Sequence, residues 1–111
     1  MKPLDMMRHM RTLKHPEPQA VTLDRVLYAL SDPVRMEIVR HLAGVAEASC
    51  GELCGDRPKS SASHHFRVLR DAGLVRTRNV GTTHMNSLRG EELETRFPGL
   101  LTTILRQLGE P

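Results

Sequence analysis

The residues best suited to recognition chemistry lie between positions 59 and 70, where most polar side chains can donate a hydrogen bond. Ala62, Phe66 and Leu69 recur at helical spacing and predict the buried stripe of an α-helix. The other face shows donors and no net acid, a pattern suited to phosphates and base edges. Nucleic acid is therefore the leading predicted partner. That face carries Lys59, Ser60, Ser63, His64, Arg67 and Arg70.

The start of this helix is rich in hydroxyl groups. Ser60, Ser61 and Ser63 stand where hydroxyls and free N–H groups can bond to phosphate or base edges. Ser60 can also cap the helix, and the two roles are compatible. His64 belongs to the donor face, whereas the adjacent His65 points about 100° away, toward the core stripe, and is predicted to be structural.

Positive charge is concentrated in the same part of the chain. Residues 56–89 hold seven basic and two acidic residues, whereas residues 90–111 hold four glutamates and two arginines. This asymmetry favours a polyanion on the first segment and a different role for the tail. Arg67, Arg70, Arg76 and Arg78 are the predicted phosphate contacts, and the alternative is an ordinary solvated face.

Two cysteines, Cys50 and Cys54, lie four residues apart and are predicted to share one face of a short helix. Three interpretations stay open for this pair. The thiols are packed without a signalling role, form a redox switch aided by a helix N-terminus and Arg57, or bind a metal. Two cysteines are too few for a four-ligand zinc site, and no cofactor is predicted.

The composition is that of a globular domain, with 39% hydrophobic and 26% charged residues in 111. We expect a flexible or loosely docked arm over residues 1–19 and one domain over residues 20–111. A chain this small is a good candidate for sharing its core with a second copy. It has no run of 18 apolar residues and no apparent secretion signal, so the cytoplasm is expected and no membrane partner.

Local signals predict the elements that position these residues. Thr22 is expected to cap a first helix, and Asp32 with Pro33 begins a second that Gly44 ends. Ser49 and Glu52 form a capping-box pattern for the third helix. The fourth helix covers residues 58–72 and stops at a left-handed Gly73.

After the fourth helix the pattern changes to a β-hairpin. Strands are predicted over residues 74–78 and 83–88, joined by a turn at residues 79–82. Glutamates from Glu91 suit the start of another helical segment, and residues 97–99 restart a final helix. The predicted fold is mainly α with a small hairpin, a winged helix-turn-helix of order α-α-α-α-β-β-α. The apolar faces of the terminal helices belong either to the core or, as we favour, to a two-fold dimer interface.

Two motifs carry a family resemblance, namely ALSDPVRMEIVRHLA at residues 29–43 and SASHHFRVLRDAGLV at residues 61–75. Through them the chain resembles the ArsR family of bacterial winged-helix repressors over about residues 22–108. The resemblance implies a homodimer whose fourth helices enter successive major grooves of an imperfect palindromic operator in double-stranded DNA. It also implies a set of DNA-facing residues, namely Lys59, Ser60, Ser61, Ser63 and His64.

The chain also departs from the family pattern. The wing tip, residues 80–83, lacks the usual arginines, so weak wing contacts are expected. The family's metal-binding C-x-C motif is not reproduced near Cys50. The final helix has no Cys, His or Asp, so the interfacial zinc site of other relatives is missing.

Together the residues predict a sequence-specific DNA-binding transcriptional regulator, a homodimeric repressor released from its operator by an unidentified signal. The alternative is a winged-helix protein-interaction module without specific DNA binding. Interaction surfaces are enriched in aromatics and Met, which the donor face lacks. An enzyme is not expected, because the sequence has no Gly-rich phosphate loop and no carboxylate pair on one helical face.

Overall fold

The computed structural model describes residues 13–109. This part of the chain contains six α-helices and a three-stranded sheet. This architecture confirms the predicted mainly α fold with a small hairpin. The first twelve residues of the predicted arm lie outside the described part. The elements in chain order are a 3₁₀ turn Pro18–Ala20, α1 Leu23–Ala29, α2 Pro33–Ala43, β1 Ala48–Ser49, α3 Cys50–Cys54, α4 Lys59–Asp71, β2 Val75–Val80, β3 Thr83–Leu88, α5 Gly90–Arg96 and α6 Leu100–Leu108.

Side-chain caps start α2 and α3 as predicted. Asp32 Oδ2 accepts hydrogen bonds from the amides of Val34 at 2.9 Å and Arg35 at 3.1 Å. Ser49 and Glu52 form the full capping box, with reciprocal bonds of 2.9 and 3.1 Å. These bonds satisfy first-turn N–H groups that an α-helix cannot pair itself.

The prediction that Thr22 caps α1 through its side chain is wrong. Thr22 occupies the N-cap position but makes no capping hydrogen bond. Its side chain instead hydrogen-bonds the Asp24 carboxylate, which lowers the pKa of that group. The hydroxyl therefore serves a neighbouring carboxylate rather than the backbone.

The sheet is antiparallel, with strand order β1-β3-β2. The hairpin is paired from Val75 with Leu88 to Val80 with Thr83, so a two-residue turn at positions 81–82 replaces the longer predicted turn. Gly81 has φ of +62°, which a tight hairpin turn favours. The short β1 was not predicted, because two residues carry no readable alternation.

The core lies where α2, α4 and the hairpin meet. Ile38 and Val39 of α2, Phe66 and Leu69 of α4, and Leu74 before β2 are almost completely buried. The final helix α6 joins this core. Among residues 13–109, no helix is long and apolar enough to cross a membrane.

The two terminal helices differ in how the domain covers them. On α6, Leu101 is buried and Ile104 is half-buried against the core, as the intramolecular interpretation expects. On α1, large apolar side chains stay exposed in the single chain. They are Leu23 at 46%, Leu27 at 48% and Tyr28 at 58% exposure.

Residues just before the 3₁₀ turn contact the sheet edge and α5. The Thr77 amide of β2 donates to His15 Nε2 at 3.0 Å. Arg89 donates from Nη2 to the Pro16 carbonyl at 2.9 Å, and also pairs with Glu92. The part of the predicted arm that the structure describes is thus bonded to the domain.

Gly73 follows the end of α4 at a position that has no room for a side chain. Its φ is +85°, and an added Cβ would lie 2.4 Å from Val21 Cγ2. Gly73→Ala should lower the free energy of unfolding by about 2–4 kcal/mol, because left-handed strain adds to overpacking.

Gly81→Ala provides the matched control for urea denaturation. Gly81 also has positive φ, but an added Cβ would meet no atom within 4 Å. Its substitution should cost only about 1–2 kcal/mol, the strain alone. Equal losses for the two variants would contradict the packing argument.

Candidate nucleic-acid interface

The outer face of α4 presents the predicted donors. Ala62, Phe66 and Leu69 are buried, which confirms the predicted stripe. Ser61 is half-buried at the margin. The helix thus separates apolar anchors from polar groups along its whole length. The exposed side chains are Lys59, Ser60, Ser63, His64 and Arg67.

The N-terminus of α4 has no side-chain cap. Pro58 occupies the N-cap position and has no hydroxyl or carboxylate to offer. None of the hydroxyls of Ser60, Ser61 and Ser63 has a hydrogen-bond partner within residues 13–109, so the capping role considered for Ser60 is not seen. The first-turn N–H groups lie at the positive end of the helix dipole, where they can meet an anion.

A buried arginine fixes α4 against α2. Arg35 Nε donates to the Ala29 carbonyl at 2.7 Å, and Arg35 Nη1 lies 3.1 Å from His65 Nδ1. Burial lowers the pKa of His65, although the nearby Asp32 carboxylate opposes this. Neutral His65 therefore accepts from Arg35, and its 3.8 Å contact with Asp32 is not an ion pair. The predicted structural role of His65 fits this geometry, whereas the role of Arg35 was missed.

The β2 arginines are paired within the chain, which the sequence did not indicate. Arg76 contacts Glu92 at 2.9 Å, and Arg78 binds both oxygens of Glu47 at 2.6 and 2.7 Å. The glutamates lie 16 and 31 positions away, so only the fold brings them together. Arg76 and Arg78 share the exposed face of β2, the first strand of the wing hairpin that β2 and β3 form.

Arg70 lies apart from the exposed donors. It is half-buried and lines a cleft between α3, α4 and the wing, together with Cys50 and Cys54. The helix periodicity alone placed it on the outer face. Arg70 follows the buried Phe66 by four positions and so lies at the edge of the buried stripe, which explains the difference.

The two cysteines are free thiols in different surroundings. Cys50 is half-buried, and its Sγ lies 3.4 Å from Asn86 Nδ2. Cys54 is buried, and this burial raises the pKa of its thiol, opposite to the shift that a reactive thiolate needs. Within residues 13–109, no group of three side chains is placed to hold a metal ion. The environment of Cys54 favours the packed-thiol interpretation.

Comparison with known proteins gives consistent matches. A family model described as a helix-turn-helix domain matches residues 30–78. The chain is 42% identical over 84 residues to the uncharacterized HTH-type transcriptional regulator YceK of Bacillus subtilis (strain 168), covering 72% of this chain and 83% of the relative. It is 39% identical over 79 residues to an arsenical resistance operon repressor of Staphylococcus xylosus, covering 65% and 70%.

A solved structure agrees with these relatives. An ArsR-like transcriptional regulator from Rhodococcus sp. RHA1 superposes with a TM-score of 0.58 at 27% identity. The match covers 79% of this chain and 92% of that one. Sequence and fold thus point to the same group of proteins.

The burial of His65, next to the guanidinium of Arg35, predicts pH-dependent stability. The pKa of folded His65 is below its usual 6.5, so the unfolded chain takes up this proton first as pH falls. Its contribution should be complete above about pH 6.5 and lost as pH falls toward the folded-state pKa. Urea denaturation between about pH 7.5 and pH 5 should show a smaller loss for His65→Gln than for the unchanged chain.

His84→Gln serves as the control, because His84 lies exposed on the wing. This variant should keep the pH dependence of the unchanged chain. His15, whose pKa is also lowered by burial, is common to all three proteins and cancels in the comparison. Identical pH profiles for His65→Gln and the unchanged chain would remove His65 from the explanation.

Proposed function

Because the chain belongs to the ArsR family of winged helix-turn-helix transcriptional regulators, which bind DNA and are not enzymes, we propose that it acts as a homodimeric repressor. The α4 helices of two copies would read the halves of an imperfect palindromic operator in double-stranded DNA. One observation carries this proposal: α4 exposes a row of hydrogen-bond donors above an uncapped N-terminus. The site of action would be the cytoplasm, where bacterial DNA lies.

The residues of α4 divide by the DNA groups that they would meet. Lys59, Ser60 and Ser61 surround the free N–H groups of the first turn and would bind phosphate. Ser63 and His64, one turn on, would reach base edges in the major groove. Arg67 would contact the backbone again.

The remaining predicted contacts would contribute less. Arg76 and Arg78 must exchange Glu92 and Glu47 for a phosphate, so part of the new ion-pair energy replaces an old one. Arg70 would meet DNA only if the backbone enters the cleft that it lines.

The exposed face of α1 supports the dimer. Leu23 and Leu27 lie one helical turn apart on the same face, and Tyr28, which follows Leu27 in sequence, is also exposed. Packing α1 against its copy would remove these side chains from water. Two-fold pairing would also hold two α4 helices in a fixed spacing, which a palindromic operator requires.

Repression and release follow from binding equilibria. The bound dimer would exclude RNA polymerase from a promoter. A releasing signal must bind the DNA-free state more tightly, because equal affinity for both states shifts nothing.

The reading of base edges by Ser63 is directly testable. Fragments selected from the source genome and random duplexes would be compared by fluorescence anisotropy. Ser63→Ala should reduce the discrimination between them by about 1–3 kcal/mol, whereas Arg67→Ala should weaken both complexes alike. An equal loss on both duplexes for Ser63→Ala would reassign Ser63 to backbone positioning.

Salt dependence tests the phosphate contacts. If two copies neutralise about six to eight phosphates, log affinity should fall with log salt at a slope of roughly −5 to −7. Anisotropy titrations at several salt concentrations give this slope. An affinity unchanged between low and high salt would contradict the proposed interface.

Sedimentation of an α1 variant tests the dimer. Leu27→Glu should yield monomers at micromolar concentration, because a charge would enter the apolar contact. Val45→Glu, at a residue of similar exposure in the loop after α2, should remain dimeric. Monomers for the unchanged chain, even with duplex DNA present, would overturn the proposal.

A further inference from the structure

A cleft of about 680 Å³ opens between α3, the first turns of α4 and the wing. This volume lies in the range of sites that hold small molecules. Its inner wall is apolar, because it is formed by the buried side chains of Cys54, Ala62 and Phe66. The cleft can therefore accept a ligand with a hydrophobic body.

The charged side chains that line the cleft are all positive. Arg57, Lys59 and Arg70 contribute cations, and His84 reaches it from the wing. No carboxylate is among the residues that line it. An acidic group on a ligand would thus meet cations without a competing anion.

Arg70 is the most buried of the three cations that line the cleft. It is half-buried, and burial lowers the pKa of its guanidinium. Within residues 13–109 it forms no hydrogen bond or ion pair, whereas Arg76, Arg78 and Arg89 each bind a glutamate. A partly desolvated guanidinium is stabilised by a carboxylate, which it can bind through two parallel hydrogen bonds.

We propose that this cleft binds a small organic acid with an apolar body and one carboxylate, and that its occupancy releases DNA. The regulatory half of the inference rests on the proposed function. Lys59 and Ser63 line the cleft and are also proposed DNA contacts, so acid and operator compete for the same groups. The acid therefore binds the DNA-free state better, as a releasing signal must.

Calorimetry without DNA tests the binding half alone. The probes are 2-naphthoate, its neutral amide and inorganic phosphate. We expect naphthoate to bind, and the amide to bind at least about tenfold more weakly, because it has no negative charge and only one acceptor oxygen for Arg70. Phosphate binding as tight as naphthoate would overturn the proposal and identify the cleft as a seat for a DNA phosphate.

Three glutamine variants locate the site, two in the cleft and one outside it. Arg70→Gln should weaken naphthoate binding at least about tenfold, whereas Arg67→Gln, one turn earlier and outside the cleft, should leave it unchanged. Lys59→Gln, at an exposed position, should also weaken binding and covers the case in which Arg70→Gln does not fold. Unchanged binding in both cleft variants would overturn the assignment.

A competition experiment tests the regulatory half. Naphthoate should displace a selected genomic fragment from the unchanged chain at concentrations that fill the cleft, and should not do so from Arg70→Gln. Binding without displacement would overturn release. If no fragment binds at all, the proposed function fails while the calorimetric result still decides whether the cleft takes an acid.

Discussion

The seating of α4 on α2 is the contact on which the rest of the molecule depends. Phe66 and Leu69 are almost inaccessible to solvent, and Arg35 ties His65 to the end of α1. Because side chains on a helix are spaced about 100° apart, this seating decides which of them face outward. A rotation by one residue would carry His65 to the exposed position of His64 and bring Arg67 to the buried position of Phe66. The outward orientation of the α4 donors thus depends on apolar packing and on one buried guanidinium.

The four arginines that the sequence predicts as phosphate contacts fall into two groups, which the sequence alone does not separate. Arg76 and Arg78 are neutralised by glutamates of the same chain, whereas Arg67 and Arg70 have no partner within residues 13–109. Local charge counting therefore overstates the positive potential of the wing. Arg67 on α4 and Arg70 in the cleft beside it thus keep their charge available to an anion.

Most predictions from local signals succeeded, although Thr22 does not cap α1 as expected. Asp32, the pair Ser49 and Glu52, and Gly73 act within a few residues, so their types and spacing were sufficient. What depended on distant partners was missed, since β1 exists only through its pairing with β3. The cleft beside Arg70 also required the fold, because it joins α3 and α4 to residues 82–84 of the wing, which lie beyond the end of α4 at Asp71.

The contact of His15 with β2 has a consequence for solubility. β2 is an edge strand, and edge strands invite addition of a strand from another molecule. The Thr77 amide is occupied by His15, and the nearby Pro16 and Pro18 have no amide hydrogen to extend a ladder. This short stretch therefore shields the sheet from edge-to-edge aggregation, a protective task separate from reading any sequence.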